Sequence, residues 1–270
     1  MGVKKIIKRY RYSAILLKQL VITDFKLRYQ GSILGYVWSL LKPMALFVIL
    51  YIVFTKFLKI GSDIPHYPVY LLLGLVLWNY FSEATTGSIG SIVSKGDLIR
   101  KINFPKYVIV MAASFSALIN LFLNFIVIAV FMVLNDVQIT KYILFLPLVI
   151  LELFVLSLSL GFILSAAFVR YRDITHIWEV VLQGLFYATP ILYPISLLPP
   201  KAAKLAILNP LAQIMQDARF ALISPQTQTI GSLFPNRQWV RLLPLLAVTI
   251  CAVFAATYFR SRSKYFAEEV

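Results

Sequence analysis

The segment Ser91-Ile92-Val93-Ser94-Lys95-Gly96-Asp97-Leu98-Ile99-Arg100-Lys101-Ile102-Asn103-Phe104-Pro105-Lys106 is a short, wet, basic interval between two oily ones. About twenty-five apolar residues lie on either side, enough to cross a bilayer, so the segment must emerge on one face of a membrane. Its basic residues, Lys95, Arg100, Lys101 and Lys106, outnumber its single acid, Asp97, and that excess puts the face in the cytoplasm. Leu98, Ile99 and Ile102 fall at helical spacing between Asp97, a capping residue type, and Pro105, which lacks the N–H to continue a helix. The spacing predicts a short amphipathic helix. Two readings fit it: a solvated connector held at the headgroups by its charges, or a docking element that takes force from a soluble partner.

Composition makes the rest of the chain membrane protein. Of its 270 residues 60% are hydrophobic and only 14% charged, far from the balance of a soluble domain. A net charge of +15 would suggest nucleic acid in a soluble protein. Here the cations cluster at the ends of apolar runs, where anionic headgroups account for them, and nucleic acid is discounted. The lone Cys251 cannot form an intrachain disulfide, and no Cys/His cluster has metal-ligand spacing. The opening Met1-Gly2-Val3-Lys4-Lys5 is not followed by a short apolar run ending in a cleavage site, so the first span is expected to direct insertion itself.

Six spans are expected, at about 33–58, 67–90, 107–134, 142–169, 177–198 and 241–259, returning the chain to its starting side. Residues 1–32 carry eight basic side chains against one acid, Asp24, which holds this end in the cytoplasm. Within it a polar stripe, Gln19, Thr23, Lys26 and Gln30 with Arg28 beside it, recurs at helical spacing among Leu16, Leu20, Val21 and Phe25. That pattern suits a helix lying in the interface. Residues 33–260 then form one transmembrane domain and 261–270 a cytoplasmic tail. Between the last two spans, residues 199–225 are apolar but broken by Asn209-Pro210 and carry Gln213, Gln216, Asp217 and Arg219. A full crossing would leave those groups in hydrocarbon, so the expectation is a broken helical hairpin dipping in from the outer face.

Several residues are costly to place in a bilayer. Lys42 and Glu83 lie on the order of 10 to 14 Å deep at about 1.5 Å per residue, where an isolated charge costs about 3 kcal/mol. Three readings fit: a structural ion pair, a pair with a role in gating, or Lys42 snorkelling to the interface. Glu152 falls near mid-membrane, either protonated and hydrogen-bonded between helices or facing water. Trp78, Tyr80 and Tyr187 are too deep for the aromatic belt, and belong at helix contacts or on a cavity wall where flat faces suit sugar rings. Small-residue stripes, Ser157-Gly161-Ser165 and Gly184-Ala188, allow helices to approach closely.

A pump needs an energy source, and the chain has no glycine-rich phosphate loop ending Gly-Lys-Ser/Thr. Neither its two histidines nor its acids form a catalytic constellation, so catalysis by this chain is not expected. Active transport would need a separate ATPase pushing on the inner loops.

The run Arg28-Tyr29-Gln30-Gly31-Ser32-Ile33-Leu34-Gly35-Tyr36-Val37-Trp38-Ser39-Leu40-Leu41-Lys42-Pro43 is followed in order by Phe104-Pro105, Arg170-Tyr171-Arg172-Asp173, Ala188-Thr189-Pro190-Ile191-Leu192-Tyr193-Pro194 and Asn209-Pro210-Leu211. This ordered set resembles the ABC-2 type permeases that export bacterial surface polysaccharides such as O-antigen, teichoic acid and capsule. The resemblance implies an all-α homodimer of six-span subunits in the bacterial inner membrane, both termini cytoplasmic. It implies two copies of a cytoplasmic ATPase that binds ATP and Mg, with no cofactor on this chain, and a lipid-linked polysaccharide as cargo. It makes Ser94, Lys95, Asp97, Leu98, Arg100, Lys101 and Ile102 the coupling helix, and the stripe with Gln19, Thr23, Lys26 and Arg28 an interface helix. It makes Pro190, Tyr193, Asn209, Pro210, Asp217 and Arg219 part of an outer re-entrant gate. An aromatic-lined channel would draw on Trp78, Tyr80 and Tyr187, with Glu152 a further candidate. A drug or lipid exporter, and a membrane enzyme acting on polyprenyl lipids, are the alternatives.

Overall fold

Every regular element among the described residues is helical. The computed structural model describes residues 2–28, 31–59, 64–102 and 104–269; the side chains of residues 2–10, Arg28 and Gln238 lie outside that description. In chain order the α-helices are α1 (Gly2–Arg28), α2 (Trp38–Ile52), α3 (Tyr67–Ile89), α4 (Ser91–Ser94), α5 (Gly96–Lys101), α6 (Tyr107–Leu134) and α7 (Leu146–Arg170). They continue with α8 (Ile174–Ala188), α9 (Pro200–Ala206), α10 (Pro210–Leu222), α11 (Ile230–Leu233), α12 (Leu242–Arg262) and α13 (Phe266–Glu269).

The bundle is built around α3, which packs against α2, α6, α7, α8 and α10 and buries 17 of its 23 residues. Its first half is apolar on every face because every face meets another helix. Its second half carries Glu83, Thr85 and Ser88, which protein neighbours tolerate and lipid would not. Thr85 and Ser88 return their hydroxyls to the carbonyls of Phe81 and Ala84 at 2.8 and 2.7 Å. The Ser157-Gly161-Ser165 stripe of α7 is buried. A Cβ at Gly161 would stand 2.7 Å from Ser88 Oγ, so this stripe sets how closely α7 approaches α3. The second stripe is open: Gly184 has space where a Cβ would go, and Ala188 is exposed.

Four stretches have the length and apolarity of a crossing: Gly35–Phe57, Tyr107–Leu134, Lys141–Arg170 and Trp239–Arg262. They match the expected first, third, fourth and sixth spans within a few residues. The first ends in a π-turn, Val53–Phe57, closed by Leu58 N–H donating to Val53 O at 3.0 Å. The expected second span is α3, whose polar half removes it from that set. Within the expected fifth span, 177–198, helix α8 stops at Ala188. Its 15 residues give about 22 Å, short of the ~30 Å hydrocarbon thickness. Pro190 lacks the N–H that would continue it, and residues 189–194 run irregularly along α3, with Leu192 O accepting from Tyr67 Oη.

Two smaller apolar clusters close the ends of the bundle. At the end reached by the last turn of α3, Ile92, Ile99, Phe104, Phe259 and Phe266 meet, with Leu16 and Leu20 of α1 against them. At the opposite end, Ile195, Ala203, Ile207, Ile230 and Val240 hold α9 and α11 in place. Helix α1 packs along α6.

Candidate functional site

The basic segment folds as two short helices tied down on one side and exposed on the other. Helix α5 starts at Gly96 with Lys95 at its cap, and no side chain caps it. Asp97 therefore sits in the first turn, where a carboxylate favours the helix dipole, instead of capping as its type suggested. The helix ends at Lys101, and Ile102 is already extended (φ −130°, ψ 131°) ahead of Pro105. Ile99 is buried and Leu98 half-buried against the Phe266 cluster. Ser94, Asp97, Arg100, Lys101 and Ile102 are exposed.

Lys95 joins this unit to α1, its Nζ lying 2.9 Å from both carboxylate oxygens of Asp24. The pair is partly exposed, with side chains 20% and 27% accessible, so it contributes about 1 kcal/mol or less to stability and chiefly fixes the relative position of two helices. Gln19, Thr23 and Lys26 lie exposed on α1 around it. The Arg28 side chain and Gln30 lie outside the described residues. At the same end Lys106 Nζ donates to Ser263 O at 2.6 Å and stands 5.8 Å from the Phe266 ring. Burial pulls its proton affinity below that of a free lysine, and Glu268 opposes the shift.

Inside the bundle a cavity of about 630 Å³ opens between α2, α3 and α6. It brings Lys42 and Glu83 to one space, with Trp38, Tyr80, Asn120 and Asn124 on its walls. Glu83 Oε1 accepts from Asn120 Nδ2 at 2.7 Å, and Asn124 Nδ2 donates to Asn120 O at 2.8 Å. The carbonyl oxygens of both asparagine side chains are buried without a hydrogen-bond partner. Sequence reasoning passed over this pair; the visible signal was two asparagines four apart in an otherwise apolar helix. Of the four residues expected to line a pathway, only Tyr80 reaches this cavity. Trp78 is buried against Phe81 and Phe186, with ring centroids 5.8 and 5.4 Å away. Tyr187 is exposed on α8. Glu152 lies on α7, half-buried, 3.4 Å from Gln213 Nε2.

The opposite end is organised by a buried arginine. Asn209 caps α10 by accepting from Leu211 N–H at 3.1 Å, with Pro210 in the first turn. The helix carries Arg219 to a wholly buried position against α3. There Nη1 donates to Tyr70 Oη at 2.8 Å and to Pro190 O at 2.6 Å, and Nη2 donates to Ile191 O at 2.7 Å. The guanidinium lies 3.5 Å from the centre of the Tyr70 ring. Gly74 makes room, since a Cβ there would be 2.6 Å from Nη2. The same irregular loop accepts from Tyr67 Oη at Leu192 O, 3.0 Å, while Tyr193 Oη donates back to Tyr187 O at 3.0 Å. Pro190, Tyr193, Asn209, Pro210 and Arg219 thus gather around one loop. Asp217 does not join them; it points to the α7 side, accepting from Gln213 Nε2. Tyr70 and Gly74 were not legible as members, because nothing in a run of leucines marks which face meets an arginine 149 positions away.

Among the described residues no three His, Cys, Asp or Glu side chains are grouped to hold a metal. What the molecule offers is a bundle with a basic platform at one end, a polar cavity within and a pinned loop at the other. That is the organisation of a membrane transport subunit. The family model for ABC-2 type transporters matches residues 15–223, and the chain belongs to that family. It is 30% identical over 264 residues to the O-antigen export system permease protein RfbA of Myxococcus xanthus, covering 97% of both chains. It is 29% identical to the RfbA of Klebsiella pneumoniae over 73% of this chain and 75% of the relative. It is 24% identical to the polysialic acid transport protein KpsM of Escherichia coli over 79% of this chain and 83% of the relative.

Proposed function

We propose that this chain is the membrane-spanning subunit of an exporter that moves a lipid-linked surface polysaccharide across the bacterial plasma membrane, driven by a separate ATPase. The observation that carries this reading is the platform made by α4, α5 and α1. One face is anchored by Ile99 and the Lys95–Asp24 pair, and the other presents Ser94, Asp97, Arg100, Lys101 and Ile102 to solvent. Anchored behind and charged in front, it is built to receive force and pass it to α3 and α6, which it connects. Relatives named for O-antigen export and polysialic acid transport support a polysaccharide cargo.

In this reading α3 and α8 complete six crossings, α8 being extended by the irregular loop that Arg219 pins. Helices α9 and α10 form the re-entrant hairpin on the outer side, and both termini are cytoplasmic. Two copies of the chain pair with two ATPase subunits, which bind ATP and Mg, and the exposed Gly184-Ala188 stripe is available for contact between copies. The polar cavity between α2, α3 and α6 gives the charged and hydroxyl-bearing parts of the cargo a wet place beside the hydrocarbon. The test is export in a deletion strain complemented with Arg100→Glu/Lys101→Glu. We expect lipid-linked glycan to accumulate inside while the permease still reaches the membrane. Normal export, or accumulation of a small amphiphile in its place, would overturn the reading. Turnover of a polyprenyl lipid by the isolated chain would replace it with an enzyme.

A further inference from the structure

We propose that the groove between the start of α6 and the end of α12 is a binding site for an anionic glycerophospholipid. The groove holds about 610 Å³, and its walls and rim differ in chemistry. Phe104, Phe162, Ala256 and Phe259 make the walls apolar, while Lys106, Arg260 and Lys264 stand along the rim and no carboxylate lines it. The helices on either side turn apolar faces outward: Phe122 and Ile126 of α6, and Ile250, Val253 and Phe254 of α12, are all more than half exposed. A surface like that is met by acyl chains, so the groove opens at the level where hydrocarbon gives way to headgroups.

The charges select what enters. Arg260 and Lys264 are exposed and have no ion-pair partner among the described residues. Lys106 is held in place by Ser263 O at 2.6 Å. A guanidinium fork and an ammonium over an apolar slot match a phosphodiester carried on a tail. A zwitterionic lipid brings its own cation to the same rim and loses that advantage, so the site should prefer a net-negative headgroup. Near an anionic surface each such cation is worth about 1 kcal/mol, so removing Arg260 and Lys264 together should weaken binding about thirtyfold. The inference needs only that the α12 end meets a bilayer, and it stands or fails separately from the proposed cargo and ATPase.

The experiment titrates phosphatidylglycerol, phosphatidylethanolamine and a polyprenyl diphosphate into the full chain in mild detergent, with any subunit that co-purifies, and reads bound lipid by native mass spectrometry. Phosphatidylglycerol should bind the natural chain in preference to phosphatidylethanolamine. Arg260→Gln/Lys264→Gln should lose that preference while keeping its lipid-free unfolding temperature. Lys201→Gln/Arg237→Gln, which removes the same charge near the other end, should keep it. Equal binding of the two phospholipids, equal loss in both double variants, or a rim-dependent preference for the polyprenyl diphosphate over phosphatidylglycerol would each overturn the proposal. If the rim variant unfolds early, Ala256→Phe, which fills the slot and leaves the charges, takes its place, and unchanged phosphatidylglycerol binding there overturns it.

Discussion

Replacing Gly74 by alanine should destabilise this protein although alanine is the better helix former. On propensity alone the change favours α3 by about 0.8–1 kcal/mol. The new Cβ, however, would stand 2.6 Å from Arg219 Nη2 and 3.1 Å from Ile191 O. The guanidinium cannot swing away cheaply, because its donors are committed to Tyr70 Oη, Pro190 O and Ile191 O at 2.8, 2.6 and 2.7 Å. Overpacking a tight contact costs about 1–3 kcal/mol. If the clash displaces the guanidinium, two carbonyls and a phenol are left buried, at about 1–3 kcal/mol for each unsatisfied group. Overpacking with one of these groups left unsatisfied, less the propensity gain, gives a net loss of about 1–5 kcal/mol. Arg219→Met removes the donors to Tyr70 Oη, Pro190 O and Ile191 O and should cost about 1–3 kcal/mol for each of these groups that stays buried and unsatisfied. The two changes act on one contact, so the double variant should lose clearly less than the sum. Thermal unfolding of the four chains in one detergent measures this. A Gly74→Ala chain as stable as the parent, or strict additivity, would show that Arg219 does not pin the loop after α8.

Other expectations follow from the opposite end and the cavity. Asp24→Lys and Lys95→Asp should each weaken association with the ATPase, and the two together should restore it, as measured by co-purification; a double variant as weak as the singles would remove the pair's positioning role. Ile102→Glu, on an exposed side chain, should reduce ATP-driven export with unfolding temperature nearly unchanged. Ile99→Glu, buried beneath it, should lower folded yield instead through an unpaired buried charge. Asn120→Leu removes the donor to Glu83 Oε1 and should cost about 1–3 kcal/mol of stability, which Glu83→Gln in the same chain partly recovers.

Much of this molecule was legible because the bilayer imposes one-dimensional rules. An apolar run of sufficient length must be a helix, since backbone groups in hydrocarbon have no other partner, and four of the expected spans are found where the apolar runs lie. Proline and glycine punctuation worked for the same reason: Pro105 separates α5 from α6, and Asn209-Pro210 begins α10. The basic segment was marked by charge alone. Two local features were set by a neighbour, and not by the bilayer. Helix α8 ends before its apolar run does, because Pro190 breaks it and Arg219 donates to the carbonyls of the loop that follows. Helix α3 carries polar groups in its second half because the protein supplies their partners: Thr85 and Ser88 bond to carbonyls of their own helix, and Glu83 accepts from Asn120.

The sequence by itself determined that the chain is helical and membrane-embedded, because length and hydropathy are properties of segments taken singly. Only the tertiary structure decided that Lys95 meets Asp24, that Asn120 supports Glu83 beside Lys42, and that Arg219 rather than Asp217 holds the loop after α8. Those pairings depend on the angle at which each helix faces its neighbours, and that angle is set by packing between distant segments such as Ser88 and Gly161.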